Sequence, residues 1–166
     1  VLQVLADHGV DDVRLLVANA LHRRMTPAEM KRMVGKKIFE RFYPKRFINH
    51  DAEDPEAIVT IGETEIGEVV KTHRWCAEAD LTIYVNINLV PMDGGHKSMG
   101  IGTTDYAGLK AHHNPKTMLE VDGYMDPDKS ELAFSGNRIG RVIDEQMKVF
   151  HIETALNNRM YDRSMG

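Results

Sequence analysis

Residues 81–89, Leu-Thr-Ile-Tyr-Val-Asn-Ile-Asn-Leu, are the clearest strand in the chain, and the turn after them narrows the available folds. β-Branched and aromatic residues fill the stretch, and Pro91 ends it. The glycine pair Gly94-Gly95 then leads into a helix-patterned run over 97–102. A strand that passes through a glycine turn and leaves as a helix is the opening of a βαβ unit.

The rest of the chain repeats this alternation. Residues 13–18, Val-Arg-Leu-Leu-Val-Ala, form a short apolar run of the kind buried in a parallel sheet. Thr26-Pro27-Ala28-Glu29 starts a helix, with Thr26 as N-cap, Pro27 at the first helical position and Glu29 placed for a capping box. That helix is expected to run to Val34, before Gly35. Residues 1–7 and 106–113 carry helical spacing, 47–51 end a strand, and 57–61 and 67–72 read as two further strands. Residues 136–148 form an amphipathic helix with Ile139, Val142, Ile143 and Met147 on one face, and 149–156 a final strand. The expected class is α/β, Rossmann-like, with a mostly parallel sheet and helices on both faces. In such sheets ligands bind beyond the carboxyl ends of the strands, which is where His22, His50-Asp51 and Gly94 to Lys97 fall.

Charge and composition exclude several classes. The formal net charge is −4, so nucleic acid is not an expected partner. The run Lys31-Arg32, Lys36-Lys37, Arg41, Lys45-Arg46 has the spacing of a solvated helical face. No apolar run approaches the length of a membrane span, and no membrane partner is expected. Cys76 is the single cysteine, which rules out an internal disulfide and fits a cytoplasmic protein. It reads as a small buried hydrophobe beside Trp75, and the ten methionines read as packing.

Three groups carry possible chemistry. His22, in Leu21-His22-Arg23-Arg24, is either a general acid/base at a strand end or a loop histidine capping backbone groups, and Arg23 or Arg24 could hold a carboxylate or phosphate. Gly94-Gly95-His96-Lys97-Ser98 resembles a P-loop only superficially. A P-loop has glycine immediately before the lysine and another five residues earlier, and those places hold His96 and Pro91. The glycines could still bring amides and a helix N-terminus to one phosphate; the bland alternative is a tight turn with a solvated lysine. His112-His113 point about 100° apart on a helix, so one ligand and one bystander is the better model. There is no His-Glu-x-x-His motif and no pair of Cys-x-x-Cys motifs, so a metal here needs donors from a cofactor. Glu153 and Asn157-Asn158 could line the same crevice or serve as turn residues.

Taken in order, these stretches resemble the N-terminal domain of the nickel-pincer lactate racemase family. The stretches that carry the likeness are Ala18 to Met25, Asn49-His50-Asp51-Ala52, Gly62-Glu63-Thr64 with Gly67 and Glu78-Ala79-Asp80-Leu81, and Gly94-Gly95-His96-Lys97, with 137–157 as the closing helix and strand. The resemblance implies nickel held by a pyridinium-3,5-bisthiocarboxylic acid mononucleotide, made by dedicated cofactor-synthesis enzymes. It implies Lys97 as the covalent tether and, sixteen residues on, His113 as nickel ligand, with His112 the alternative. The chelator plus one imidazole gives a near-planar set of donors suited to Ni(II). His22 matches the acid/base histidine that takes the hydroxyl proton of a 2-hydroxy acid while hydride moves to the cofactor and back. The resemblance further implies that residues 1–166 are one α/β domain from the N-terminal part of a longer two-domain enzyme.

One feature departs from the family. Its second acid/base histidine follows a proline in a longer loop after the central strand, whereas Pro91 here precedes Met92 in a shorter loop. His96 is the candidate replacement. Two other readings stay open: a nickel-free mononucleotide- or phosphate-binding enzyme using Gly94, Gly95 and Arg23, and a non-catalytic binding module that kept the fold.

Overall fold

The computed structural model describes residues 1–88, 95–120, 123 and 126–155, apart from the side chains of His96, Lys97 and Ala155. In chain order the elements are α1 (Leu2–Asp7), β1 (Leu15–Val17), α2 (Pro27–Val34), α3 (Lys36–Phe42), β2 (Phe47–Asn49), β3 (Ile58–Glu63), β4 (Val69–His73), α4 (Arg74–Ala77), β5 (Thr82–Asn88), α5 (Gly95–Gly102), α6 (Tyr106–His112), α7 (Pro115–Leu119), α8 (Glu131–Gln146) and β6 (Val149–Ala155).

The α/β class holds, but the single mostly parallel sheet is not what the described strands form. They pair two by two. β1–β2 and β5–β6 are parallel, as βαβ logic requires. β3–β4 is an antiparallel hairpin with a bulge between Thr60 and Gly62. The connection explains this: Thr64 to Glu68 is too short for a helical crossover, so the chain must return antiparallel. The turn is closed by the Thr64 N–H on the Glu68 carbonyl at 2.9 Å.

The capping box at α2 forms as expected: Thr26 Oγ1 accepts the Glu29 N–H at 3.3 Å and Glu29 Oε2 accepts the Thr26 N–H at 2.8 Å. Gly35, at φ +83°, ends α2 in a conformation a side chain would resist. The chain then starts α3 at once, which buries Phe42 beside Met30 and Phe47. The first part of that basic run is therefore a pair of helices whose apolar side packs on β1 and β2.

The second core joins Val70, Cys76, Met99, Ile139, Val142 and Ile143. α8 starts five residues before the amphipathic pattern suggested, because Leu132 and Ser135 are also buried in its first turns. Gly100 lets α5 lie directly on α8; a Cβ there would stand 2.7 Å from Ile139 Cγ2 and 3.2 Å from Ile143 Cδ1. Burial pushes the Cys76 thiol up to about 11, so it is protonated at neutral pH and plays the packing role expected of it. Among the described residues no helix is long and apolar enough to cross a membrane.

Candidate functional site

The carboxyl ends of β1, β2 and β4 meet at one short link. Residues 102–105, Gly-Thr-Thr-Asp, join α5 to α6 and are gripped from several sides. Ala20 donates its N–H to the Gly102 carbonyl at 2.9 Å. A Cβ on Gly102 would stand 3.0 Å from the Ala18 Cβ and 3.3 Å from the Ala18 carbonyl oxygen, so its absence lets α5 end against β1. The hydroxyls of Thr72 and Thr103 are 2.8 Å apart. Asp105 accepts from Lys71 Nζ at 2.8 Å and from the Gly108 N–H at 2.8 Å, which caps α6.

His50 closes the link from β2. Its Nε2 lies 2.7 Å from the Thr104 carbonyl, which can only accept, so Nε2 carries the proton. His73, at the end of β4, accepts the Trp75 N–H on Nδ1 at 3.1 Å. The two rings meet edge to face with centroids 5.8 Å apart, and both are buried. Burial lowers the His50 pKa against the opposing pull of the Thr104 carbonyl, Asp51 and Asp105. Burial, helped by His50 and Arg74 and opposed by Asp54, lowers His73 to about 4.

This burial makes stability depend on pH. Below the ordinary histidine value of 6.5 the unfolded chain takes up protons that folded His73 refuses until about 4. Stability is therefore full above pH 6.5 and falls between 6.5 and 4, by about 3 kcal/mol for His73 alone. Thermal melts of wild type and His73→Gln across that range test it. The variant should show the shallower dependence, and a flat wild-type profile would contradict the assignment.

His22 sits on a tightly bonded turn beyond β1. The Val17 carbonyl accepts N–H groups from both Asn19 and His50 at 3.0 Å, stapling the ends of β1 and β2. Asn19 Nδ2 donates to the His22 carbonyl at 3.1 Å, and the Asn19 carbonyl accepts the His22 N–H at 2.8 Å. Ala20 has φ +48°, a left-handed conformation uncommon for a residue with a Cβ. Strain of this kind persists only where surrounding bonds enforce it. The turn leaves the His22 side chain exposed at the rim. Arg23 does not face an open site: it forks onto Glu29 at 2.6 and 2.9 Å and holds that carboxyl well below the usual range. Arg24 pairs with Asp51.

Lys97 lies in the first turn of α5, at the end away from His22's turn. With a rise of about 1.5 Å per residue, it stands roughly 7.5 Å along the axis from Gly102. Gly94 lies outside the described residues, as do the side chains of His96 and Lys97. The Gly95 N–H, one of the amides considered for a phosphate, donates to Glu153 Oε1 at 2.5 Å. Asn88 Nδ2 donates to Glu153 Oε2 at 3.1 Å, and Asn86 Nδ2 donates to Asn88 Oδ1 at 2.9 Å. Glu153 is thus a β6 residue that holds the start of α5 rather than a turn residue, while Asn157-Asn158 lie outside the described residues.

The histidine pair divides. His112 ends α6 and is 0% exposed, whereas His113 is the C-cap residue and is exposed. Their ring centroids are 4.6 Å apart at 67°. Among the described residues no group of three or more His, Cys, Asp or Glu could hold a metal by itself.

His73, Lys71 and Asp105 were not singled out in the sequence, and His50 entered through its strand-end position and as part of the stretch Asn49-His50-Asp51-Ala52, without a role of its own. Asp105 before Tyr106 was a readable N-cap signal. Nothing local marks His73, whose importance comes from a hairpin that folds it against His50.

The comparisons agree with this architecture. A family model described as the lactate racemase N-terminal domain matches residues 1–123. A lactate racemase of Thermoanaerobacterium thermosaccharolyticum is 27% identical over 106 residues, covering 61% of this chain and 24% of that protein. The solved structure of the lactate racemase apoprotein from the same organism has a TM-score of 0.76 at 20% identity. It covers 94% of this chain and 38% of the other, so the chain spans well under half of the relatives it matches.

Proposed function

We propose a role that starts from one premise: this chain belongs to the lactate racemase N-terminal domain family. In that role it is the cofactor-bearing part of a racemase or epimerase acting on a 2-hydroxy acid. Lys97 tethers a nickel-pincer nucleotide, His113 ligates the nickel with His112 as the alternative, and His22 moves the proton. The observation that carries this reading is the α5–α6 segment. Its lysine-bearing helix ends on the strained turn that presents His22, and the next helix ends on adjacent imidazoles.

The side chains fit such a cofactor on chemical grounds. The one thiol is buried and protonated, and no cluster of three or more ligands exists among the described residues. His113, which is exposed, would hold the metal of a group that brings its own further donors, and Lys97 would tether that group. When bound, that group supplies a hydride acceptor. The chain's own residues do the rest. A ring nitrogen of His22 accepts the substrate hydroxyl proton and returns it. The Ala20–Gly102 and Asn19–His22 bonds fix the turn from which it works. His96 is the proposed second acid/base group. The phosphate-binding alternative has less support, because Glu153 uses the Gly95 N–H and Glu29 engages Arg23.

Mass and metal analysis after co-expression with cofactor-synthesis enzymes tests the tether. The wild-type protein should carry nickel and a covalent mass increase. Lys97→Ala should lose the covalent increase and retain little nickel after gel filtration. Full occupancy in that variant would reject Lys97 as the attachment point.

A further inference from the structure

Arg24, two residues past His22, stands at one end of a cavity of about 310 Å³ that the proposed reaction does not use. The cavity follows β2: Tyr43 and Pro44 line it before the strand, Phe47, Ile48 and Asn49 along the strand, and Asp51 beyond it. Met25, Pro27 and Met30 complete the lining, and neither His22 nor the 112–113 pair belongs to it. Met30 and Phe47 are 1% and 2% exposed, so these parts of the wall are set in the core of this half of the fold. Tyr43 is held by stacking on Phe39, with ring centroids 4.5 Å apart. Asn49 is the polar side chain midway along, and its amide is already engaged. Its Oδ1 accepts the Met25 N–H at 2.8 Å and its Nδ2 donates to the Met25 carbonyl at 3.0 Å. The lining is thus mainly apolar, with charged groups at one end.

We infer that this cavity binds an aromatic carboxylate, with the ring against Met25, Met30, Phe47 and Tyr43 and the carboxylate on Arg24. A guanidinium presents five N–H donors. Among the described residues the Arg24 guanidinium makes one hydrogen bond, to Asp51, whose other oxygen accepts the Glu53 N–H at 3.1 Å. A second carboxylate can therefore join the fork without displacing Asp51. The surrounding charge favours an anion. Residues 23–46 hold nine arginines and lysines against Glu29 and Glu40, in a chain whose net charge is −4. Glu29 neutralises Arg23, but Lys31, Arg32, Lys37 and Lys45 make no ion pair among the described residues. Thioethers pack well against aromatic rings, which suits Met25 and Met30 to a flat body. With the Asn49 amide engaged, the middle of the cavity offers no partner to the hydroxyls of a sugar, and burying them unpaired is unfavourable. The three residues of β2 span about 10 Å, the length of a phenyl ring joined to a carboxylate through two carbons.

The test titrates 3-phenylpropionate into the 166-residue chain with carbon-13 in its methionine methyls. The Met25 and Met30 signals should shift saturably, with a Kd in the millimolar range or below, while Met99, in the other core, stays in place. Arg24→Gln should weaken binding by about tenfold or more and leave the melting temperature nearly unchanged, because its pair with Asp51 is exposed. Tyr43→Ala should weaken it severalfold and carries the measurement if the Arg24 variant fails to fold. The uncharged 3-phenylpropionamide should bind about tenfold more weakly than the acid, and acetate, which lacks the ring, should not move the two methyls at the same concentration. No saturable shift up to about 10 mM would overturn the inference, as would binding indifferent to both substitutions or an amide that binds as tightly as the acid. Adenosine monophosphate moving the same methyls at lower concentration would assign the cavity to a phosphate and overturn it too.

Discussion

Replacing His22 by alanine is expected to lower turnover of the cofactor-loaded enzyme by about 10²- to 10⁴-fold, the usual contribution of a positioned acid/base group. Cofactor content and melting temperature should stay at wild-type values. The separation is possible because of how the turn is built. Its shape comes from the Ala20 N–H on Gly102, from Asn19 Nδ2 on the His22 carbonyl and from the His22 N–H on the Asn19 carbonyl. All of these survive loss of the imidazole. His22→Gln should be as inactive as His22→Ala, since an amide hydrogen-bonds but does not exchange a proton at these rates. Asn19→Ala gives the contrast. It keeps the imidazole and loosens the turn, so it should lower turnover less than His22→Ala and also lower the melting temperature. Turnover within a few-fold of wild type in His22→Ala would remove this residue from proton transfer.

What could be read from the sequence was what local chemistry decides. Thr26-Pro27-Ala28-Glu29 marked a helix start because cap, proline and capping-box glutamate lie within four residues, and each bond formed. The strand at 82–88 was legible from its β-branched residues. Asn114-Pro115 carries the same cap-and-proline signal as Thr26-Pro27, outside the elements expected, and it starts α7 with Asn114 Oδ1 accepting the Thr117 N–H at 3.0 Å. α3 was hidden by its charges: Lys36, Lys37 and Arg41 read as a solvated face, yet Ile38, Phe39 and Phe42 pack on β1 and β2. The pairing of strands was not local. Whether two runs lie parallel depends on the length between them, and the five residues from Thr64 to Glu68 decided it for β3–β4. The site divides in the same way. His22 and Lys97 were legible as strand-end and helix-start residues. The engagement of Arg23 by Glu29, of the Gly95 amide by Glu153 and of His50 by Thr104 depends on approach between distant segments, which spacing does not encode.

Arg138→Leu is expected to cost about 3–5 kcal/mol of stability, the largest loss for any single charged residue discussed, because it strands a buried carboxylate. Glu68, its side chain 10% exposed, accepts from Arg138 Nε at 2.8 Å and Nη2 at 2.9 Å, from Ser135 Oγ at 2.7 Å and from Thr64 Oγ1 at 2.9 Å. Arg138 Nη2 also reaches Glu131 Oε1 at 2.7 Å. Burial alone would raise the Glu68 pKa, but these donors outweigh it and hold the carboxyl below its ordinary value. In wild type the pair therefore stabilises the fold above the ordinary carboxylate range and loses that contribution as acid protonates Glu68. Urea melts at pH 7 should show the full loss in Arg138→Leu, and the loss should shrink toward pH 4 as the stranded carboxyl takes up a proton. Glu68→Leu/Arg138→Leu should recover much of the stability, since two apolar residues leave no uncompensated charge. A double variant less stable than the single one would mean that the ion pair itself drives folding. The consequence reaches the site. The network fixes α8 on the β3–β4 turn, α8 meets α5 through Ile139 and Ile143 at Gly100, and α5 carries Lys97 at one end and holds the His22 turn at the other. Loosening α8 should therefore lower cofactor retention as well as stability, whereas His22→Ala should change neither.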